Sequence, residues 1–247
     1  MAQSSSTSLP PIISTFELFR KSFLFIKKNS KKLFYIILVM LIPRIIIQLT
    51  RLIIFYGFDK GLTLSDFWLM FFFWFILALN IISIIVSLFG SIALLIFINE
   101  DDPDFRVSSA FKMSFQKFFP YLWIAILSTL IVIGGLILFV IPGIFWAISY
   151  SLGIYILITE DLRGYKALQR SKELIKNYWW PVFFRNISLF LILIVFTLPL
   201  LFLESLIQSK IIPLVSFIYE LIYSLFFISI LTIYSFYIYK DLKRIKG

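Results

Sequence analysis

The chain has 247 residues, of which 61% are hydrophobic and only 15% are charged, and it carries a formal net charge of +10 at pH 7. A soluble domain is about half apolar and about a quarter charged, so this composition excludes an ordinary water-soluble domain and predicts a polytopic membrane protein. The sequence contains neither cysteine nor histidine, which excludes disulfides and any catalysis that uses a histidine base or a cysteine nucleophile.

The first predicted element is a short disordered tail over residues 1–11, MAQSSSTSLPP. It has no positive charge ahead of an apolar segment, so it lacks the features of a cleavable signal peptide. An amphipathic helix over 12–30 follows, and its basic residues immediately precede the first apolar segment. We expect this helix to lie at the membrane interface and the chain from 12 to 241 to form a single integral membrane domain.

Six apolar segments approach or exceed the roughly 20 residues that a helix needs to cross a bilayer. The second would be about 50 Å long at 1.5 Å per residue, so we expect it to tilt, kink or protrude. The third and fourth meet at Ile141, Pro142 and Gly143, where proline and glycine favour a tight turn between two helices. The predicted spans cover residues 33–57, 67–99, 120–141, 143–159, 180–203 and 213–239.

The distribution of basic residues predicts how the chain is threaded. With six spans both termini lie on one side, and most of the 23 lysines and arginines lie there too, including the basic tail at 242–247. The loops on the opposite side carry Lys60 and Lys210. Because cytoplasmic loops are enriched in lysine and arginine, we expect both termini in the cytoplasm and the protein in the cytoplasmic membrane. The basic residues flank the spans, which favours anionic lipid over nucleic acid as their partner.

Another amphipathic helix is predicted over 163–178, in the most polar long stretch of the chain. Ala167, Leu168 and Ser171 fall on one arc of a helical wheel with the other apolar residues, whereas the lysines fall on the rest. Such a helix can lie in the lipid headgroup layer, or it can pack on a soluble partner domain. The first interpretation predicts headgroup contacts for basic and aromatic side chains, namely Lys166, Arg170, Lys172, Lys176, Trp179 and Trp180.

Part of this helix recurs elsewhere in the chain. Residues 109–123 align with 166–180 at a constant offset, and a looser copy lies at 16–29. Each copy precedes two predicted spans. The predicted fold is therefore all-α: a polytopic six-helix transmembrane bundle made of three repeats, each an amphipathic interfacial helix followed by a transmembrane hairpin. The interfacial helices of the three repeats cover 12–30, 105–119 and 163–178.

The middle of the chain carries a series of short motifs: Ile141-Pro142-Gly143, Trp146, Glu160-Asp161, Ala167-Leu168, Arg170-Ser171 and Trp180. In this order they resemble the membrane domain of bacterial glycerophosphoryl diester phosphodiesterases and its stand-alone relatives, best over 105–205. In that family the membrane domain can be joined to a soluble catalytic barrel, which usually needs about 250 residues of its own. A chain of 247 residues leaves no room for both, so the resemblance implies a six-helix membrane module without the esterase activity.

Ionisable residues inside predicted spans are candidate functional residues, because charge is costly to bury in a bilayer. Arg44 lies near the predicted midplane with Gln48 one turn further on, while Arg51 and Glu220 share a depth near the outer face and are predicted to form a salt bridge. For Arg44 three interpretations stay open: it lines a cavity for water or headgroups, it binds neighbouring polar groups, or it reaches an interface. Arg185 is expected to extend to the cytoplasmic headgroups.

The sequence contains no glycine-rich phosphate loop and no G-x-S-x-G nucleophile elbow. We therefore predict no enzymatic activity, no catalytic residue, no metal and no cofactor. The acidic residues Glu100, Asp101, Asp102 and Asp104 are interpreted as a solvated loop rather than a divalent-cation site. The leading interpretation is a scaffold, sensor or accessory module that associates with anionic lipid and with a protein partner in the membrane. The alternative is a transporter or permease subunit for an anionic or lipid-like substrate, with Arg44 facing that substrate.

Overall fold

Helices make up the regular structure of the described residues, which are 12–59, 65–100, 102, 104–206, 223 and 227–247 in a computed structural model. No strand occurs within these ranges, as the all-α prediction requires. Nine helices of eight or more residues are described. They are α1 Thr15–Lys28, α2 Ser30–Asp59, α3 Asp66–Asn99, α4 Val107–Leu138, α5 Val140–Tyr150, α6 Gly153–Glu160, α7 Tyr165–Ile175, α8 Trp179–Leu206 and α9 Ser229–Lys246.

Four helical segments are long and apolar enough to cross a bilayer, and they make this a multi-pass integral membrane protein. The fifth predicted span is also helical, but its apolar stretch, Trp179–Ile192, is shorter than the four candidate spans. Much of the sixth, 213–239, lies outside the described residues. The prediction of six spans therefore stays a prediction. The four candidate spans are Ser30–Arg51, Met70–Asn99, Val107–Leu138 and Val140–Glu160.

Helix α4 differs from the prediction, because one continuous helix replaces an interfacial helix at 105–119 followed by a span at 120–141. Pro120 lies inside this helix. Proline removes one backbone hydrogen bond, but neighbouring groups in membrane proteins commonly satisfy the carbonyl that it frees. The sequence on both sides of Pro120 is helical, so the helix passes through it.

The turn between α4 and α5 lies at Phe139, two residues before the predicted start at Ile141. Phe139 is extended, with φ −161° and ψ 150°, and its N–H donates to the carbonyl of Gly135 at 2.9 Å. Pro142 and Gly143 instead belong to the first turn of α5, where a missing N–H costs little. Gly143 serves a different purpose from the predicted one, because a Cβ on it would lie 2.9 Å from the backbone nitrogen of Leu136. It lets α4 and α5 approach closely.

The break between α5 and α6 is held by a serine from α7. The hydroxyl of Ser171 donates to the carbonyl of Ser149 at 2.8 Å and accepts from the N–H of Leu152 at 3.2 Å. Both Ser171 and Leu152 are buried. A buried backbone group without a partner costs about 1–3 kcal/mol, so this hydroxyl replaces helix hydrogen bonds that the break removes.

Replacing Ser171 with alanine is expected to destabilise the protein by about 1–3 kcal/mol, because the buried N–H of Leu152 loses its acceptor. Ser151→Ala is the matched control, since the hydroxyl of Ser151 is exposed and bonds only locally, to the carbonyl of Ile148. Thermal unfolding of the two variants in the same detergent measures the difference. Equal melting temperatures would show that Ser171 does not hold the break.

The core lies at one end of the bundle. Helix α3 is buried on all sides over 92–98, whereas near its start Phe67 is 72% exposed. Around this buried end pack α1, α6, α7 and α9, which contribute core residues such as Leu18, Ile156, Leu168 and Tyr239. The other end of α4 is open, with Ile137 80% exposed. We call the packed end the base; the exposed apolar helix surface beyond it suits contact with lipid.

The aligned segments place fully buried side chains at equivalent positions in the base. When Ser22 is aligned with Ser114 and Ser171, each serine is preceded four residues earlier by another buried residue. All six side chains are fully buried. The threefold architecture stays a prediction, but its three segments bury the same face. The pairs are Leu18 and Ser22, Ala110 and Ser114, and Ala167 and Ser171.

Candidate functional site

Charged side chains from several helices lie together at the C-terminal end of α6. Lys117 of α4 donates to the carbonyl of Leu157 at 3.2 Å and to the carboxylate of Asp161 at 2.7 Å. A cation is favoured here because the helix C-terminus carries partial negative charge. Asp161 ends the helix with φ 52°, in the left-handed region that aspartate and asparagine tolerate better than most residues.

The hydrogen bond from Lys117, together with its charge, holds the pKa of the Asp161 carboxyl below its ordinary value. A lowered carboxyl pKa adds stability above the ordinary value, and that stability is lost as the pH falls through the lowered pKa. Acidification is therefore expected to lower the melting temperature of the wild type more than that of Asp161→Asn, which keeps the left-handed backbone conformation. Parallel melting curves in acid would contradict this contribution.

Glu160, one residue earlier, is the centre of a polar cluster at the base. Its carboxylate accepts from the hydroxyl of Tyr239 at 2.7 Å and lies 3.3 Å from the ammonium of Lys243. On the other side it lies 3.4 Å from Nε of Arg170. Thr159 shares a hydrogen bond with the same tyrosine hydroxyl. We call these five residues the Glu160 cluster; it joins α6, α7 and α9.

The end of α9 is tied to α7 by two further contacts. Arg170 donates to the carbonyl of Gly247 at 2.9 Å, and Lys246 donates to the carbonyl of Glu173 at 2.6 Å. The ammonium of Lys246 also lies 5.6 Å from the centre of the Tyr178 ring, a distance that permits a cation–π attraction. Arg170, predicted to bind lipid headgroups, therefore binds groups of the protein itself.

The segment that precedes α1 is clamped by two charged residues. The buried carboxylate of Asp241 accepts the N–H of Ile13 at 2.7 Å. Arg185 donates to the carbonyl of Ile13 and, at 3.1 Å, to the carbonyl of Pro181. Arg185 is only 8% exposed, so the prediction that it extends to headgroups is wrong. Protein carbonyls bind its guanidinium instead.

Helix α7 presents lysines on one face and packs with the other. Its apolar arc, from Ala167 to Ile175, is buried against neighbouring helices of the same chain. This arc is therefore not available to enter the lipid. The predicted headgroup residues Lys166, Lys172 and Lys176 are exposed, so the helix combines a protein-bound apolar face with a basic outer face.

The two tryptophans that follow α7 have different surroundings. Trp179 donates its indole N–H to the carbonyl of Phe145 at 3.2 Å and stacks on the ring of Phe183 at 5.0 Å. Trp180 is 62% exposed and packs beside Phe184 at 5.9 Å. Trp179 thus contributes to packing between α5 and α8, while Trp180 keeps the exposed position predicted for an interfacial aromatic residue.

The predicted intramembrane residues do not all fall within the described part of the chain. Arg44 and Gln48 are half-buried on α2, one helical turn apart, and both have interactions within the protein. Arg51 is exposed. Glu220 lies outside the described residues, so its predicted salt bridge with Arg51 stays a prediction.

The described residues form clefts at two places that bear on function. One, of about 420 Å³, lies at the base between the α1–α2 junction and the loop after α3. The other, of about 290 Å³, lies between α4 and the α5–α6 break, where Ser128, Thr129 and Ser151 line it with apolar residues. Arg44 lines neither of these two clefts.

Sequence reasoning missed the two most connected polar groups, the Glu160 cluster and the clamp on Ile13. Their partners are far apart along the chain: 79 residues separate Tyr239 from Glu160, and 228 separate Ile13 from Asp241. Local periodicity carries no information about such pairs. The only available signal was an acidic residue, Glu160, at the end of an apolar segment on a side rich in lysine.

Comparison of the chain with protein-family models, with curated proteins and with solved structures finds no match. The functional argument therefore depends on the geometry of the base.

Proposed function

We propose that this integral membrane protein is a non-enzymatic module that associates with anionic lipid at one leaflet, through the lysines exposed at its base. The observation that carries the proposal is α7. Its apolar face is buried in the protein, and Lys166, Lys172 and Lys176 project outward next to the end of the span Val140–Glu160. A lysine near an anionic membrane surface contributes about 1 kcal/mol of attraction, and three act together here.

The orientation proposed for this module has both termini in the cytoplasm. The sorting of lysine and arginine supports it, since the starts of α2 and α4 and the ends of α3 and α6 would then share the basic side. Single cysteines placed at exposed positions test the orientation cleanly, because the chain contains no native cysteine. Labelling of a cysteine at Lys172 by an impermeant reagent added to intact cells would contradict it.

The lipid association is tested with the purified protein in detergent. Phosphatidylglycerol is expected to raise the melting temperature, and phosphatidylcholine to raise it less. Replacing Lys166, Lys172 and Lys176 with glutamine is expected to remove most of the difference between the two lipids. The matched control is the triple arginine variant, which keeps the charge and is expected to keep the difference. A glutamine variant that responds like the wild type would overturn the proposal.

A transporter for an anionic or lipid-like substrate is the second candidate. The observation that favours it is the half-buried position of Arg44 and Gln48 on one face of a candidate span, where ionisable groups commonly mark a substrate path. Transport requires water to reach position 44, whereas a scaffold requires a dry bundle. Rapid modification of Arg44→Cys by a water-soluble thiol reagent would favour the transporter; protection would favour the scaffold.

A further inference from the structure

The cleft at the base lies where two candidate spans emerge from the bilayer. The span Ser30–Arg51 begins at its edge, and Glu100, which follows the span Met70–Asn99, lies on its opposite side. Its volume of about 420 Å³ falls within the range of about 300–1,000 Å³ that small-molecule sites occupy. Because the cleft lies at the ends of two candidate spans, it lies at the depth of the lipid headgroups.

The two sides of the cleft carry opposite charge. The α1–α2 junction contributes Lys28 and Lys31, both exposed, and the loop after α3 contributes Glu100 and Asp102. Among the ion pairs of the described residues, none involves any of these four side chains. The cleft thus presents these two ammonium groups and two carboxylates without a direct ion pair among them, while Lys32, which also lines it, donates to the carbonyl of Phe105 at 3.2 Å.

An apolar surface continues the cleft toward the span. The rings of Phe25 and Phe97 line the cleft and lie 6.3 Å apart, edge to face. On α2, Phe34 and Tyr35 follow Lys31 by three and four residues, which places them on the same helical face. They are 48% and 60% exposed. A ligand with acyl chains can use this surface, whereas a small water-soluble phosphate compound cannot.

We propose that the cleft binds a phospholipid whose headgroup carries both a phosphate and a primary ammonium. Lys28 and Lys31 face the phosphate, Glu100 and Asp102 accept hydrogen bonds from the ammonium, and the acyl chains lie along Phe34 and Tyr35. A primary ammonium has three N–H donors, so carboxylates distinguish it from a quaternary ammonium, which has none. This inference rests on the proposed function, because it names a lipid class that the module holds.

The test measures lipid binding to the purified protein by native mass spectrometry and by thermal shift. Phosphatidylethanolamine is expected to bind about tenfold or more tightly than phosphatidylcholine, and soluble phosphoethanolamine to bind far more weakly than either. Lys28→Gln with Lys31→Gln is expected to weaken phosphatidylethanolamine binding about tenfold or more. The wild type is also expected to bind phosphatidylethanolamine more tightly than phosphatidylglycerol. Glu100→Gln with Asp102→Asn is expected to remove this preference while leaving phosphatidylglycerol bound.

Matched controls keep these outcomes specific to the cleft. Lys27 is exposed on α1 and Asp104 is exposed in the same loop, but neither lines the cleft. Lys27→Gln and Asp104→Asn are expected to leave the lipid preferences unchanged, and melting temperatures without lipid check that every variant folds. Equal binding of phosphatidylethanolamine and phosphatidylcholine would overturn the inference, and so would equal binding of phosphoethanolamine and phosphatidylethanolamine. Control variants that lose binding like the cleft variants would also overturn it.

Failure of this inference is distinguishable from failure of the proposed function. Phosphatidylglycerol could still stabilise the protein through Lys166, Lys172 and Lys176 while phosphatidylethanolamine binding is unchanged in the cleft variants. In that case only the inference about the cleft is wrong. If neither lipid binds, both the cleft assignment and the lipid module are wrong.

Discussion

Arg185→Ala is expected to destabilise the protein by about 3 kcal/mol. Arg185 is 8% exposed, and its guanidinium donates to the carbonyls of Ile13 and Pro181. Its removal leaves these carbonyls short of a donor. It also takes away positive charge near the buried carboxylate of Asp241. Both losses act on the same segment, so the expected result is release of α1 from α8 and α9.

Arg244→Ala is the matched control for this experiment. Its guanidinium pairs with the same Asp241 at 2.7 Å, but its side chain is 67% exposed, and an exposed pair contributes about 0–1 kcal/mol. Thermal unfolding in detergent compares the two variants, and limited proteolysis near Ile13 detects release of α1. Arg185→Lys should fall between them, since it keeps the charge but not the planar set of donors. Similar losses for Arg185→Ala and Arg244→Ala would contradict the clamp.

Two adjacent glycines are expected to respond to alanine in opposite directions. A Cβ on Gly135 would lie 2.6 Å from the Trp146 ring and 2.9 Å from the Cα of Gly143, so the α4–α5 hairpin would have to open. A Cβ on Gly134 meets nothing within 4 Å. Overpacking costs about 1–3 kcal/mol, whereas alanine in place of glycine in an open helix position gains up to about 1 kcal/mol.

The melting temperature of Gly135→Ala should therefore fall while that of Gly134→Ala rises or stays unchanged. Because the two positions are neighbours on one helix, the comparison removes effects of detergent and of general helix propensity. Equal shifts at both positions would show that α4 and α5 are not in close contact in the membrane protein as purified. Small residues at a helix contact allow such close approach in membranes generally.

Local patterns were sufficient to predict much of the base. The periodicity of 163–178 identified the arc that is buried, including Leu168 and Ser171. It did not identify what covers that arc, because the same apolar residues suit contact with lipid and contact with other protein helices. The interfacial prediction assumed lipid; in the structure the arc packs on helices of the same chain, and only the lysines face outward.

Helix boundaries and polar pairs were less accessible to sequence reasoning. A span was predicted to begin at residue 120, and Pro142 was predicted to lie in a turn next to the start of a helix, where proline is favoured. Pro142 does lie in such a turn, but Pro120 lies inside α4. For Arg185 the length of the side chain permitted either a headgroup or a protein acceptor. Its acceptor, the Ile13 carbonyl, is 172 residues away, so tertiary structure alone decides between the two.

The clamp on Ile13 also links the order of synthesis to the order of assembly. Asp241 leaves the ribosome 228 residues after Ile13, by which time every described helix before α9 has been made. Until then the backbone N–H of Ile13, which precedes α1, has no carboxylate acceptor. The helices made earlier therefore lie in the bilayer without α9 as a neighbour, and protease resistance near Ile13 becomes a signal that translation has passed Asp241.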